Sequence, residues 1–286
     1  MVKLLAQLAP AKINLFLRVV GQRSDGYHEL DSVFLPISLY DRIQLEVRPS
    51  RSSSVALRCD RGDLPSDDRN LASRAASAFI AEFGIAAEIL IDLHKEIPVG
   101  AGLGGGSSDA GAVLRMMAAL YRTGDAKRLS KLALKLGADV PFFLEPRPAR
   151  VGGIGERIAP LKRAPSLPLV IAVPPFEVST ADIYGSLRSA EWSGAVPEAD
   201  MRAIESGQIS PATLVNDLEQ AAIRRHPRIG ELKALLQDVG ASAAAMTGSG
   251  GAVFGVFQDA EAAARGAEKA RQRAPDSQFV TAISLS

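Results

Sequence analysis

Between Glu96 and Tyr121 the chain reads EIPVGAGLGGGSSDAGAVLRMMAALY, and five of the seven positions from Gly100 to Gly106 are glycine. A chain that sheds side chains this densely lets its backbone approach something closely, or turns where other residues resist turning. Ala110, Val113, Leu114, Met117 and Tyr121 then recur at helical spacing, so the loop opens a helix, expected to start near Ser108. The N–H groups of such a loop, with the unpaired donors and positive dipole end of the helix, make an anion site whose natural occupant is phosphate. The plainer reading is a tight turn with Ser107 or Ser108 capping the helix. So many glycines exceed what a turn needs.

Two familiar phosphate loops are excluded. Gly100, Gly102 and Gly105 satisfy G-x-G-x-x-G, but the chain passes Asp125 into another helix instead of a second strand ending in an acidic residue. A Walker loop needs Lys-Ser/Thr after its last glycine, and here Gly106 is followed by Ser107, Ser108 and Asp109.

Ile13, Leu15, Leu17 and Val19 alternate with Lys12, Asn14, Phe16 and Arg18, the signature of a strand with one buried face. Lys12 and Asn14 therefore point the same way. Further strands are expected at Val33–Leu39, Ile43–Arg48, Ser54–Cys59 and Ala87–His94, with helices at Asn70–Phe83 and Lys127–Leu136, the latter stopped by Gly137. From about Arg163 the composition changes, and APSLPLVIAVPP reads as a linker feeding a buried strand. The expected organisation is a lobe over 1–162 and a second over 163–286. In the second, helical patterns at Thr213–Arg225, Arg228–Val239 and Ala260–Ala274 alternate with apolar runs at Ala243–Met246, Ala252–Phe257 and Gln278–Leu285. The fold class is α+β, a mixed α/β first lobe followed by an α+β sandwich. Trp192–Asp200 reads as an exposed loop, and Asn216 or Asp217 as a helix cap.

Charge narrows the partners. With 33 Lys+Arg against 32 Asp+Glu the formal net charge is +1, and no block of like charge offers a footprint for nucleic acid or an anionic membrane. The lone Cys59 excludes an internal disulfide and a cysteine-built zinc site, as suits a reducing cytosol. The three histidines show no metal-ligand spacing, and no apolar run approaches the ~20 residues of a spanning helix. The expected partners are small molecules, for a cytoplasmic protein that is a monomer or weak homodimer.

PVGAGLGGGSSDA, Pro98–Ala110, resembles the ATP loop of the GHMP kinases, the superfamily of galactokinase, homoserine kinase and mevalonate kinase. PAKINLFLRVVGQRSDGYHEL, Pro10–Leu30, and GADVPFFL, Gly137–Leu144, resemble the first and the catalytic segments of the branch acting on 4-diphosphocytidyl-2-C-methyl-D-erythritol. TGSGGAVFG, Thr247–Gly255, resembles the third superfamily motif. The motifs fall in the expected order along the chain; Ala101 stands where many members carry glycine.

The resemblance implies a two-lobed GHMP kinase fold and transfer of the ATP γ-phosphoryl group to that substrate's 2-hydroxyl, with Mg²⁺ accompanying ATP and no dedicated protein metal site. It places Pro98, Val99, Gly100, Ala101, Gly102, Leu103, Gly104, Gly105, Gly106, Ser107 and Ser108 on ATP. Asp139 then takes or orients the hydroxyl proton and Lys12 stabilises charge, the two things phosphoryl transfer asks of a protein. Read alone, Asp139 could cap the short VPFFL element and Lys12 could be a solvated strand residue. Tyr27 and His28 are implied at the cytidine, with Tyr184 opposite and Asn14 on the methylerythritol hydroxyls. A loop histidine and a core tyrosine are the plainer alternatives. Two other functions remain open, another GHMP kinase of homoserine or mevalonate type and a non-catalytic nucleotide-binding protein. GYH after the first strand favours a cytidine substrate, and intact Lys12 and Asp139 favour catalysis.

Overall fold

Alternation at the start of the chain produces a longer strand than the motif alone suggests. In the computed structural model, which describes all residues from Met1 to Ser286, β1 runs Lys3–Gln22 and turns at Gly26 into β2, His28–Pro49. The break expected near Asp41 does not occur. Then follow β3 (Ser54–Cys59), α1 (Leu71–Phe83), β4 (Ala87–His94), α2 (Gly105–Tyr121) and α3 (Ala126–Leu136). After a 3-10 turn at Phe142–Leu144 come β5 (Ala149–Gly153), β6 (Arg157–Pro160) and β7 (Pro168–Val173). Helices α4 (Thr180–Ser186), α5 (Glu198–Glu205), α6 (Glu219–Arg225) and α7 (Arg228–Asp238) lead to β8 (Ala243–Met246) and β9 (Val253–Val256). The chain closes with α8 (Ala260–Arg273) and β10 (Gln278–Ile283).

Two compact units share these elements. The first comprises residues 1–11, 39–97 and 104–146. In it β3 and β4 are parallel neighbours, and α1 is the crossover that parallel pairing requires. β4 is antiparallel to the second half of β2, Arg42 opposite His94. Asn70 caps α1 by accepting from the Ala72 N–H, and Gly84 ends it in the left-handed region at φ 64°. The core is the inner sheet face, Ile43, Leu45, Ile89 and Ile91, packed on Phe79 of α1 and Val113 and Met117 of α2. Cys59 is half-buried at its margin.

The second unit comprises residues 12–38, 98–103 and 147–286. The first half of β2 is antiparallel to β5, which forms a hairpin with β6. A four-stranded antiparallel sheet, ordered β10-β7-β9-β8, packs Val170, Met246, Val253 and Phe279 against Leu232 and Leu236 of α7 and Ala267 of α8. Only the second half of the helix expected from Thr213 forms. The N-cap is Leu218, and Asn216 acts from two residues before it: its Oδ1 accepts the Leu218 N–H at 3.0 Å while its Nδ2 donates to the Met246 and Gly248 carbonyls, each at 2.9 Å. Asp217 does not cap and instead accepts the Val19 N–H at 2.7 Å.

Candidate active site

Helix α2 begins three residues earlier than its hydrophobic periodicity implies, at Gly105, and no side chain caps it. Its N-cap is Gly104, held at φ 73°, ψ 17°, a conformation glycine adopts without strain. The first-turn N–H groups are thus left for a ligand, the arrangement that binds phosphate. Ser108 donates its N–H to the Gly104 carbonyl at 2.8 Å and its hydroxyl to the Pro10 carbonyl at 2.7 Å, so neither donor remains for an anion. Ser107 is half-buried, its Oγ 3.9 Å from where a Cβ on Gly137 would sit.

Asp139 lies half-buried on the turn after α3, in the same unit. It does not cap the following 3-10 turn, whose N-cap is Pro141 without a side-chain hydrogen bond. This turn is pressed on α2: a Cβ on Gly111 would lie 2.5 Å from Phe143 Cβ, and the Arg115 guanidinium donates to the Phe143 carbonyl. Burial lowers the Arg115 pKa to about 10.

In the second unit Lys12 is 3% exposed, which rejects the solvated-strand reading. Its Nζ donates to Asn14 Oδ1 at 2.6 Å and lies 4.8 Å from the Phe34 ring centre. Asn14 Nδ2 donates to Ser32 Oγ at 2.9 Å, and the Asn14 N–H to Thr247 Oγ1 at 2.9 Å. The Pro98–Leu103 part of the glycine loop packs on the β8–β9 turn backbone to backbone. Gly102 (φ 76°) and Gly248 (φ 61°) face each other so closely that a Cβ on Gly102 would lie 2.5 Å from the Thr247 carbonyl oxygen.

His28, Tyr184 and Trp192 meet in a cleft of about 510 Å³, lined also by Gln22, Gly26 and Leu187. The His28 and Tyr184 rings stack at 5.3 Å, and Trp192 meets His28 edge-on at 5.7 Å. Tyr27 lies beside them in sequence with its side chain exposed. Burial pushes the His28 pKa down, so the ring is neutral at pH 7, with one donor and one acceptor nitrogen. Trp192 is the residue sequence reasoning missed. It stands in the stretch read as an exposed loop, yet its indole nitrogen is buried without a partner. Asp217 accepts the Ser193 N–H at 2.8 Å, and Asp31 the Val196 N–H at 2.9 Å, so carboxylates hold this stretch down. The one available signal was that this is the chain's only tryptophan.

The family description "GHMP kinases N terminal domain" matches residues 70–145, and "GHMP kinases C terminal" matches 201–276. With a glycine loop opening an uncapped helix in an α+β chain, these matches make the chain a GHMP kinase. The 4-diphosphocytidyl-2-C-methyl-D-erythritol kinase of Anaeromyxobacter dehalogenans strain 2CP-C is 44% identical over 94% of this chain and 85% of its own. A crystal structure of 4-(cytidine 5'-diphospho)-2C-methyl-D-erythritol kinase superposes with TM-score 0.84 at 39% identity, covering 99% of this chain and 100% of the other. Within the GHMP kinases, this chain belongs to the 4-diphosphocytidyl-2-C-methyl-D-erythritol kinase family. Homoserine kinase from Cytophaga hutchinsonii, TM-score 0.75 at 19% identity with 99% and 94% coverage, shares the fold.

Proposed function

We propose that the chain transfers the γ-phosphoryl group of ATP to the 2-hydroxyl of 4-diphosphocytidyl-2-C-methyl-D-erythritol, a step of the non-mevalonate route to isoprenoid precursors. The observation that carries the acceptor side is the aromatic cleft around His28. A cytosine needs a flat apolar face and a donor–acceptor edge, and stacked Tyr184 with a neutral imidazole supplies both. Tyr27 closes over the base from its exposed position, and Asn14 binds the methylerythritol hydroxyls.

On the donor side, Pro98–Ser108 cradles the triphosphate. The first-turn N–H groups of α2 bind it directly, while Ser108 fixes the turn. Asp139 accepts or orients the hydroxyl proton, and Lys12 offsets charge on the transferring group. Mg²⁺ travels with ATP, held on phosphate oxygens and water. We assign Ser107 as the hydroxyl that joins it, since the Ser108 hydroxyl is engaged by the Pro10 carbonyl.

A division into lobes at 1–162 and 163–286 belongs to this reading, supported by one family description matching on either side. No helix is long and apolar enough to cross a membrane, and the charge balance offers nothing to nucleic acid. We place the enzyme in the cytoplasm, as a monomer or weak homodimer acting on small molecules alone. Incubation with Mg-ATP and the cytidine substrate, followed by phosphorus NMR, tests the proposal: a new phosphomonoester resonance is expected. Its absence with folded protein overturns the proposal.

A further inference from the structure

Behind the first turn of α2, three ionisable side chains are closed off from water. Those of Asp41 on β2, Lys95 just past β4 and Asp109 on α2 are 0%, 4% and 3% exposed. Lys95 Nζ donates to Asp109 Oδ2 at 2.7 Å and also to Asp41 Oδ2. Asp41 Oδ1 accepts the Glu96 and Ile97 N–H groups at 2.7 and 2.9 Å, so both Asp41 oxygens are engaged. Asp109 Oδ1 is buried with no partner at all.

Two carboxylates and one ammonium carry a net charge of −1, and a bare anionic oxygen in a dry interior costs several kcal/mol. A proton on Asp109 removes that charge, since a neutral acid oxygen is far cheaper to bury unpaired. Burial indeed pushes the Asp109 carboxyl up to about 8, with Lys95 pulling it back and Asp41 adding to the rise. The Lys95 pKa is raised despite its burial, because both acids hold its proton. The cluster adjoins the loop directly: a Cβ on Gly105, the first residue of α2, would lie 3.3 Å from Lys95 Nζ.

We propose that Asp109 is a positioning residue for the nucleotide, protonated while phosphate occupies the first turn of α2 and, once ionised in alkaline solution, setting uncompensated negative charge behind that phosphate. This rests on the reading of that turn as the phosphate site. The other groups facing the cluster are Asp60, which accepts the Lys95 N–H at 3.0 Å, and Cys59 on β3, which feels both Lys95 and Asp109. Helix α1 turns Leu71 toward the same turn, 3.5 Å from a Cβ on Gly106.

The test is calorimetric titration of Mg-ATP into wild type and Asp109→Asn from pH 7 to 9.5, without acceptor, so that nucleotide ionisation is common to both proteins. Wild-type Kd is expected to weaken on the order of five- to tenfold across the window, as a new buried charge close behind the phosphate turn requires, while the variant stays within about twofold. A thermal scan adds a second readout. A carboxyl raised above its unfolded value near 3.8 makes wild-type stability fall as pH climbs from about 4 to 8, so the variant's midpoint should pull ahead over that range. Parallel Kd profiles for the two proteins overturn the role of Asp109 alone. Absence of Mg-ATP binding by either folded protein at any pH overturns the kinase reading and this inference together.

Discussion

The Lys12 amine donates to Asn14 Oδ1 at 2.6 Å, two residues apart on one face of β1 and both buried. An ammonium taken out of water is retained only where polar partners hold it, and Asn14 is itself held by Ser32 and Thr247. The amine is thus preorganised, which gives a fixed cation its value in phosphoryl transfer. Lys12→Met should lower kcat on the order of 10²–10³-fold, the loss typical of one preorganised electrostatic donor. Steady-state kinetics with saturating substrates checks this; a drop below tenfold would place the cation outside the reaction.

The aromatic cleft predicts a split between ligands. His28→Ala should raise KM for the cytidine substrate at least tenfold and leave KM for ATP within about twofold, since a lost stacking and hydrogen-bonding edge costs about 1–3 kcal/mol. The pH dependence has a definite sign. Burial lowers the His28 pKa below 6.5, so the neutral ring persists at pH 7–8, and cytidine affinity should fall only as acid drops through the lowered value. Initial rates from pH 5 to 8 at limiting cytidine substrate test it. An equal loss for both ligands would make His28 a support of the fold.

Much of this was legible in the sequence where chemistry is local. β3 and β4 begin and end at the residues that alternation and flanking turns indicate, and α3 stops at Gly137. The rest depended on distant partners. The β2 break expected near Asp41 is absent because that carboxylate is consumed by Lys95, Glu96 and Ile97, some 55 residues on. Asn216 and Asp217 look like caps by type; Asn216 does accept the Leu218 N–H ahead of α6, but its amide nitrogen is spent on the β8–β9 turn and Asp217 on β1. Polar residues around Trp192 signalled exposure, but Asp31 and Asp217 reach in from elsewhere to satisfy that stretch's backbone. At the site, the Lys12–Asn14 face was readable from period-two alternation. The burial of Lys12 and the joining of Trp192 to His28 were not, because both are set by segments far away in sequence.

Two glycines of one loop should fail differently. Gly102→Ala forces a Cβ to within 2.5 Å of the Thr247 carbonyl at positive φ, with backbone on both sides and no flexible side chain to yield. It should cost on the order of 2–4 kcal/mol of stability, read as a lowered denaturation midpoint. Gly104→Val instead strains the left-handed N-cap of α2 and tilts the phosphate donors. Its signature should be a raised KM for ATP in a protein that still folds. Unchanged ATP saturation in Gly104→Val would count against the phosphate cradle.

Asp139 separates chemistry from architecture most sharply, because the structure removes its simplest structural role. Pro141 occupies the N-cap of the 3-10 turn, and the turn is held instead by backbone bonds, Val140 N–H to the Gly137 carbonyl at 3.2 Å and Phe143 N–H to the Val140 carbonyl at 3.1 Å. The contact of Phe143 with Gly111 and the Arg115 hydrogen bond fix it further. Asp139→Asn keeps the shape and loses only charge and proton acceptance, so it should shift stability by less than about 1 kcal/mol. The rate should not be spared, since losing general-base help costs on the order of 10²–10⁴-fold in kcat. Thermal midpoint and single-turnover rate measured on one preparation decide the matter. A folded variant with near-normal rate would mean that catalysis rests on positioning and on Lys12. A variant that unfolds would mean that the carboxylate holds the turn together after all.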